Sequence, residues 1–268
     1  MGRIVASDGT AIHYRVWGPR GRPVVLMLQG LGCDANGWTL QRVALQRSYR
    51  CIALDNRGVG SSGAPPGPYS IEQMARDARD VLDAEQAARA HVIGLSMGGV
   101  VSQLFAIKYP ERVRSLVLAA TAGRHHGWRI ELLARWEYLA ARYGMAKVAS
   151  EVAPWFVGER ARRLLGPGIT LAIRTILPRN ARAFASQIEA ILEVPDELRR
   201  YHGSVKAPTQ ILVGALDTLT PPDDARELAA RLPHCELTVI PEAGHALIAE
   251  APMQFNRCVL RFLARHPQ

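Results

Sequence analysis

The sequence predicts an α/β fold, in which a mostly parallel sheet of eight strands has helices on both faces and carries an inserted all-helical cap. Three observations predict it. Short apolar runs recur along the chain, helix-like amphipathic segments separate them, and this alternation stops between residues 123 and 204. Continuous apolar runs of strand length are typical of strands buried on both faces, and their alternation with helices is typical of a parallel sheet.

The first two strands are predicted to form a hairpin. Residues 4–6 and 12–17 flank Asp8-Gly9, a dipeptide that favours a tight β-hairpin turn. Six further apolar runs predict the other strands. They cover residues 24–28, 51–54, 92–95, 113–118, 210–214 and 236–240.

Three helices are predicted clearly by their periodicity. Residues 71–82 repeat apolar side chains at helical spacing, and Ser70 and Gln73 before and within this run have the spacing of a capping box. A second helix is predicted over residues 222–232, because a proline followed by two aspartates is a favourable helix start. A closing amphipathic helix is predicted over residues 255–263.

The segment from residue 123 to residue 204 predicts the cap. It holds three of the five tryptophans, is interrupted by several prolines and glycines, and contains no convincing strand. We interpret an all-helical insertion after a sheet strand as a cap over the strand ends. The predicted domains are therefore a core of residues 1–122 and 205–268 and a helical cap of residues 123–204.

Composition excludes several classes of partner. Hydrophobic residues make up 48% of the 268 residues, as is ordinary for a soluble globular protein. The formal net charge of +9 comes almost entirely from scattered arginines, so no nucleic-acid partner is expected. No apolar run reaches the roughly 18 residues of a transmembrane helix, so no membrane insertion is expected.

The four cysteines form no C-x-x-C pair and have no metal-ligand spacing. They predict reduced thiols in a cytoplasmic protein and no metal site. The N-terminus shows no long apolar region and no signal cleavage site, which also favours the cytoplasm. The oligomeric state is left open by the sequence.

The stretch Gly94-Leu95-Ser96-Met97-Gly98-Gly99 predicts a nucleophile elbow. It lies between the apolar run 92–95 and a helix-like segment, as this motif requires. The chain must reverse direction within one or two residues, so the serine hydroxyl projects outward. Gly94 and Gly98 lack a Cβ and allow strand and helix to approach closely. The helix start also directs free N–H groups towards developing negative charge.

Two further residues complete a predicted catalytic triad. A nucleophilic serine needs a base and an acid that orients the base. Asp217 follows the strand that ends at Gly214, and His245 follows the strand that ends at Ile240. Catalytic groups of open α/β sheets gather at these carboxyl ends. The sequence therefore predicts Ser96 as nucleophile, His245 as base and Asp217 as the orienting acid.

The oxyanion hole is predicted to use two backbone N–H groups, those of Met97 and Leu31. Met97 directly follows the nucleophile, and Leu31 lies in the glycine-containing loop after the strand 24–28.

An apolar substrate pocket is also predicted, lined by residues of the cap and of the catalytic loops. For any single aromatic side chain in it, the alternative is that the side chain packs between cap helices. The candidates for that pocket are Gln29, Trp128, Trp136, Trp155, Phe156, Phe184, Leu219 and Leu247. This chemistry needs no cofactor and no metal.

These motifs closely resemble those of the α/β-hydrolase fold superfamily over essentially the whole chain. The residues that carry the resemblance are Gly94–Gly99, Asp55–Ser62, Gly30–Gly32 with Trp38, Gly214–Asp217 and Gly244-His245. The resemblance implies that Asp55–Ser62, the D-x-R-G-x-G-x-S loop, braces the oxyanion loop and that the cap follows the sixth strand. Relatives usually carry His-Gly where this chain has Gln29-Gly30.

The resemblance implies a serine hydrolase that cleaves a carboxylic ester through an acyl-enzyme intermediate. Ser96 separates the chain from relatives that use an aspartate nucleophile. The expected substrate is a small apolar ester or lactone. An enol-lactonase of the 3-oxoadipate type, which shares the Gly-Leu-Ser-Met-Gly-Gly elbow, is the first alternative. A cofactor-free perhydrolase, a C–C bond hydrolase and, from a different class, a non-catalytic ligand receptor are the others.

Overall fold

A computed structural model describes residues 1–166, 168–178, 180–194 and 197–267. Eight strands form one sheet in the spatial order β1-β2-β4-β3-β5-β6-β7-β8. The strands are β1 (Gly2–Val5), β2 (Ala11–Trp17), β3 (Val24–Leu28), β4 (Arg50–Leu54), β5 (Ala90–Leu95), β6 (Val113–Ala119), β7 (Thr209–Gly214) and β8 (Cys235–Ile240).

Helices lie in the connections that follow β3 and after β8. They are α1 (Thr39–Leu45), α2 (Ile71–Ala84), α3 (Met97–Lys108), α4 (Gly127–Tyr143), α5 (Met145–Phe156), α6 (Glu159–Leu165), α7 (Gly168–Ile176), α8 (Ala181–Leu192), α9 (Glu197–Tyr201), α10 (Pro222–Ala229), α11 (Leu247–Glu250) and α12 (Pro252–Ala264). No helix in the described ranges is long and apolar enough to cross a membrane.

The prediction of a mostly parallel sheet of eight strands is confirmed. β1 pairs antiparallel with β2, which pairs antiparallel with β4. Every other neighbouring pair is parallel. The predicted hairpin joins β1 to β2, and its Gly9 has φ +84°, a conformation that favours glycine.

The capping box predicted at the start of α2 is present, whereas other predicted helix ends shift. The Ser70 hydroxyl accepts a hydrogen bond from the Gln73 amide at 3.1 Å, and the Gln73 side chain accepts one from the Ser70 amide at 2.9 Å. The helix predicted over 222–232 ends earlier, at Ala229. The closing helix begins earlier than predicted, at Pro252, because proline is favoured in a first helical turn.

Strand register brings the carboxyl ends of the parallel strands together. Leu28 of β3 pairs with Gly94 of β5, and Gly214 of β7 pairs with Ile240 of β8. Because these strands run in the same direction, the loops that follow them leave from one edge of the sheet. All predicted catalytic residues lie in those loops.

Side chains of the central strands alternate between two hydrophobic cores. In β3, Leu26 and Leu28 belong to one core, while Val25 and Met27 belong to the other. The period of two in a strand causes this division. The first core includes residues of α2, α3, α4 and α8, and the second includes residues of α1 and α12.

Between β6 and β7 the described residues form helices joined by turns and short irregular stretches, and none of them is in a strand. Helices α4 to α9 occupy this segment, and α4 packs against both α5 and α8. We call residues 123–204 the helical segment. The division of the chain into a core domain and a cap domain remains a prediction.

Candidate active site

The elbow at Ser96 joins β5 to α3 in a sterically tight turn. Ser96 has φ +53° and ψ −117°, a conformation that non-glycine residues adopt rarely and that is common at functional turns. A Cβ built on Gly94 would overlap the carbonyl oxygen of Gly98, and one built on Gly98 would overlap the carbonyl group of Leu28. Glycine is therefore required at both positions for α3 to lie this close to the sheet.

Three predicted catalytic side chains form a continuous hydrogen-bonded chain. His245 Nε2 lies 3.0 Å from Ser96 Oγ, and His245 Nδ1 lies 2.9 Å from Asp217 Oδ2. Asp217 is 3% exposed and His245 is 5% exposed, whereas Ser96 is half-buried. The imidazole thus bridges a buried carboxylate and an accessible hydroxyl.

The carboxylate of Asp217 is held by its own loop. Its Oδ1 accepts hydrogen bonds from the backbone amides of Leu219 and Thr220, both at 2.9 Å. The Thr220 hydroxyl donates to Asp217 Oδ2 at 2.8 Å and also lies 3.1 Å from His245 Nδ1. Thr220 is not among the residues predicted from the sequence; its only local signal is a threonine three residues after the predicted acid.

The loop that carries His245 contacts the end of α5. The Ala246 amide donates to the Phe156 carbonyl at 2.8 Å. The Glu250 carboxylate accepts hydrogen bonds from the amides of Gly244 at 3.1 Å and Gly158 at 3.0 Å. Burial raises the pKa of Glu250, and these two amide bonds oppose that rise. Glu250 thus links the histidine loop to the helical segment.

A second link joins α4 to the Asp217 loop through Arg129, which is buried. Its Nε donates to the Leu219 carbonyl at 2.8 Å, and its guanidinium forms an ion pair with Asp224. Burial lowers the pKa of Arg129, and the charge of Asp224 opposes that shift. His126 lies 3.1 Å from the other oxygen of Asp224.

The loop after β3 contacts the nucleophile through its backbone. A Cβ built on Gly30 would lie 3.2 Å from Ser96 Cβ. The Gly30 carbonyl accepts a hydrogen bond from the Cys33 amide at 3.1 Å, which closes a four-residue turn. Leu31 and Met97 line the same cavity as Ser96. Met97 begins α3, so no earlier carbonyl of that helix accepts its N–H.

The cavity beside Ser96 is narrow, with a volume of about 40 Å³. Apolar side chains dominate its wall, and His125, Arg129 and Thr220 add polar groups. The lining residues are Leu31, Ser96, Met97, Val100, Thr121, Ala122, His125, Arg129, Leu133, Trp136, Phe156, Ile191, Leu219 and Thr220. Burial lowers the pKa of His125 to about 4, so its imidazole is neutral at pH 7.

Three predicted pocket residues, Trp136, Phe156 and Leu219, line this cavity, and the other five do not. Gln29 and Leu247 are buried elsewhere: the Gln29 side chain accepts a hydrogen bond from Gly30 at 3.1 Å, and Leu247 packs in the core that includes α12. Phe184 is also fully buried and packs in the other core. Trp128 and Trp155 stack on each other, with ring centroids 5.9 Å apart.

A larger cavity of about 520 Å³ lies away from this chemistry, between α2, α3 and α8. Ser96, His245 and Asp217 do not line it. Because Ser96 lines the smaller cavity, we take the smaller one as the candidate active site. No group of three or more His, Cys, Asp or Glu side chains that could hold a metal ion occurs in the described ranges.

Comparisons with known proteins agree with this fold. A family model described as the alpha/beta hydrolase fold matches residues 23–152. The chain is 30% identical to 3-oxoadipate enol-lactonase 2 of Acinetobacter baylyi, over 98% of this chain and 96% of that protein. It is 33% identical to a putative carbamate hydrolase, RutD, of Variovorax paradoxus, over 95% of this chain and 96% of the relative.

Among solved structures, the enol-lactonase of Burkholderia xenovorans LB400 is similar, with a TM-score of 0.91 and 30% sequence identity. The match covers 98% of this chain and 100% of that one. The likeness therefore extends over both the sheet and the helical segment.

Proposed function

The chain belongs to the α/β-hydrolase fold family, and on that premise we propose that it is a serine hydrolase that cleaves a carboxylic ester bond through an acyl-enzyme intermediate. One observation carries this proposal: the hydrogen-bonded chain from Asp217 through His245 to Ser96. A buried acid, an imidazole and a hydroxyl in this order are the parts that nucleophilic acyl transfer needs.

In the proposed first step, Ser96 Oγ attacks the substrate carbonyl carbon while His245 Nε2 accepts the hydroxyl proton. Asp217 stabilises the imidazolium that forms, and its hydrogen bond from Nδ1 holds the ring in this orientation. The N–H groups of Leu31 and Met97 stabilise the oxyanion. In related chemistry the loss of one such donor raises the barrier by about 2.7–4 kcal/mol. His245 then protonates the departing alkoxide, which leaves an acyl group on Ser96.

In the second step, His245 takes a proton from water, whose oxygen attacks the acyl carbon. The tetrahedral intermediate collapses, the proton returns to Ser96 Oγ, and a carboxylic acid leaves. The same groups thus serve both halves of the reaction, as microscopic reversibility requires.

The narrow cavity favours a small acyl group. A volume of about 40 Å³ accommodates only a few water-sized groups beside Ser96.

We propose that residues 123–204 act as a cap that closes this space, with residues 1–122 and 205–268 as the catalytic domain. The four cysteines are unpaired, which supports a reducing compartment such as the cytoplasm.

A lactone that carries an oxygen beyond its ester group is the second candidate substrate, and two polar atoms favour that further oxygen. Trp136 and His125 line the cavity, yet Trp136 Nε1 and His125 Nδ1 have no hydrogen-bond partner among the described residues. A buried donor without a partner is costly, so a substrate with an additional oxygen would satisfy it. The enol-lactonase names of two similar proteins support the same candidate.

The test is a panel of p-nitrophenyl esters from two to sixteen carbons, together with several lactones, run beside Ser96→Ala. We expect turnover to be highest for acyl chains of about two to four carbons and to be abolished in Ser96→Ala. A pre-steady-state burst of nitrophenolate would report the acyl-enzyme.

Two results would overturn the proposal. Full activity in Ser96→Ala would remove the nucleophile from the mechanism. Binding of esters without release of nitrophenolate would instead identify a ligand receptor. A lactone turned over faster than every linear ester would rank the second candidate first.

A further inference from the structure

The turn that carries Leu31 is held by a glutamine from the helical segment. Gln187 of α8 is 0% exposed. Its Oε1 accepts a hydrogen bond from the Gly32 amide at 2.9 Å, and its Nε2 donates to the Arg57 carbonyl at 2.9 Å. One side chain thus binds both the turn after β3 and the loop that contains Arg57, which lie 155 and 130 residues away in sequence.

The turn itself is specified by its backbone. The Gly30 carbonyl bonds to the Cys33 amide, so Leu31 and Gly32 are the two central residues. Gly32 has φ +70°, and Leu31 is not among the residues with positive φ. This combination is that of a type II turn, which differs from type I by a flip of the central peptide.

Gln187 bonds to that central peptide, since the Gly32 amide belongs to it. A glycine at position 32 allows both orientations of this peptide. The bond to Gln187 stabilises one of them. The preceding peptide supplies the Leu31 N–H. Because a peptide is planar and trans, the Leu31 N–H points opposite to the Gly30 carbonyl, whose bond to Cys33 closes the turn. This N–H therefore keeps its direction only while the turn keeps its shape and position, and Gln187 anchors the turn at Gly32.

Close packing around Gly32 also holds α8 against the turn. A Cβ built on Gly32 would lie 2.8 Å from Pro178 Cδ and 3.2 Å from Phe184 Cδ2. A Cβ built on Gly58, beside Arg57, would lie 2.6 Å from Ala183 Cβ. Ala183 and Gln187 are four residues apart and so share one face of α8. That face lies directly against both loops.

We propose that Gln187 is a positioning residue for the oxyanion hole, through which the helical segment sets the turn that presents the Leu31 N–H. The inference rests on the proposed serine hydrolase function. It assigns to the helical segment a role in transition-state stabilisation in addition to covering the substrate. Gln187 itself touches neither the reacting atoms nor the cavity beside Ser96.

The test compares Gln187→Met with Gln210→Met. Methionine preserves side-chain length and removes both hydrogen bonds. Gln210 is also buried and bonds through its side-chain amide, to Glu236, but it lies near the start of β7, at the other end of the sheet. Each variant is assayed for kcat and KM on a short ester and for inhibition by a small alkylboronic acid, which forms a tetrahedral adduct on serine.

We expect Gln187→Met to lower kcat by about 10- to 100-fold, because small misplacements of catalytic groups cost this much. KM should stay within about twofold, and boronate affinity should fall by a factor similar to that of kcat, since both depend on the oxyanion hole. Gln210→Met should leave all three quantities near those of the unmodified protein.

Boronate affinity within twofold of the unmodified protein in Gln187→Met would overturn the inference, as would an equal loss in Gln210→Met. If Gln187→Met does not fold, Gln187→Asn makes the same test, because its amide is one methylene too short to reach Gly32. The two proposals fail on different results. If Ser96→Ala is inactive but Gln187→Met binds boronate as tightly as the unmodified protein, only the inference about Gln187 is wrong.

Discussion

At the scale of single residues, the candidate site depends on the hydrogen-bond partners of the polar atoms near His245. Asp217 accepts three hydrogen bonds from its own loop in addition to its contact with the imidazole. Thr220 supplies two of the three, one from its amide and one from its hydroxyl. The hydroxyl is the more informative one, because it also lies beside His245 Nδ1.

Thr220→Val should therefore lower kcat/KM by about tenfold while the protein stays folded. The change removes one bond to a charged carboxylate, which is typically worth about 1.5–3 kcal/mol, but leaves both amide bonds to Asp217. Steady-state kinetics and circular dichroism check this. Thr218→Val, at an exposed neighbouring threonine, is the control. Equal kcat/KM in the two variants would show that the hydroxyl has no part in orienting His245.

At the scale of elements, the junction of β5 and α3 is set by backbone contact. α3 begins directly at the nucleophile, and its first turn lies against the carbonyl group of Leu28 in β3. Backbone atoms of a central strand cannot move aside as a flexible side chain can. The close approach of helix to sheet therefore depends on the absence of a Cβ at Gly98.

Gly98→Ala should destabilise the protein by about 3 kcal/mol, the upper part of the range for overpacked interiors. For a chain of this size that corresponds to a fall in Tm of roughly 6–12 °C. Gly127→Ala is the matched control, since it also lies in a first helical turn and a Cβ there meets no atom within 4 Å. Thermal unfolding measures both. A Gly98→Ala Tm within about 2 °C of the control would contradict the argument.

At the scale of the whole molecule, buried histidines make stability depend on pH. Burial lowers the pKa of His91 to about 3 and that of His202 to about 4. His91 Nε2 and His202 Nδ1 have no hydrogen-bond partner among the described residues. Protonation in the folded state would bury a positive charge, which Arg114 opposes at His91 and Arg199 and Arg231 oppose at His202.

In the unfolded chain these histidines bind a proton near pH 6.5. Between about pH 6.5 and pH 4 the unfolded state therefore holds protons that the folded state does not, and stability falls as pH falls. Each such histidine contributes a slope of about 1.4 kcal/mol per pH unit.

Urea unfolding at pH 7, 6 and 5 measures this slope. His202→Gln should reduce it by about 1.4 kcal/mol per pH unit below pH 6, whereas His234→Gln, at an exposed histidine, should not. An unchanged slope in His202→Gln would mean that His202 is protonated in the folded protein as readily as in the unfolded chain.

The strands and the order of the candidate catalytic residues were predictable because their signals are local. Each central strand is a continuous apolar run, and Ser96, Asp217 and His245 each follow such a run. Parallel pairing then brings the ends of β5, β7 and β8 to one edge of the sheet. Residues distant in sequence thus meet without any further information from the sequence.

Side-chain direction within the helical segment was not predictable. Aromatic residues in short helices can face the cavity, a neighbouring helix or solvent, and periodicity alone does not separate these. Trp136 lines the cavity, whereas Trp128 is 41% exposed and stacks on Trp155. Gln29 follows β3 as predicted, but its side chain folds back onto its own loop and supports Gly30.

The sheet, the elbow and the order of Ser96, Asp217 and His245 follow from the sequence, because hydrophobic period, turn residues and strand length are local signals within about ten residues. Which further side chains support that site depends on the tertiary structure. Thr220, Glu250 and Gln187 act through contacts whose geometry depends on loop conformation and on how α5 and α8 pack against the sheet edge. Such contacts follow from the summed packing of the molecule, and no local pattern encodes them.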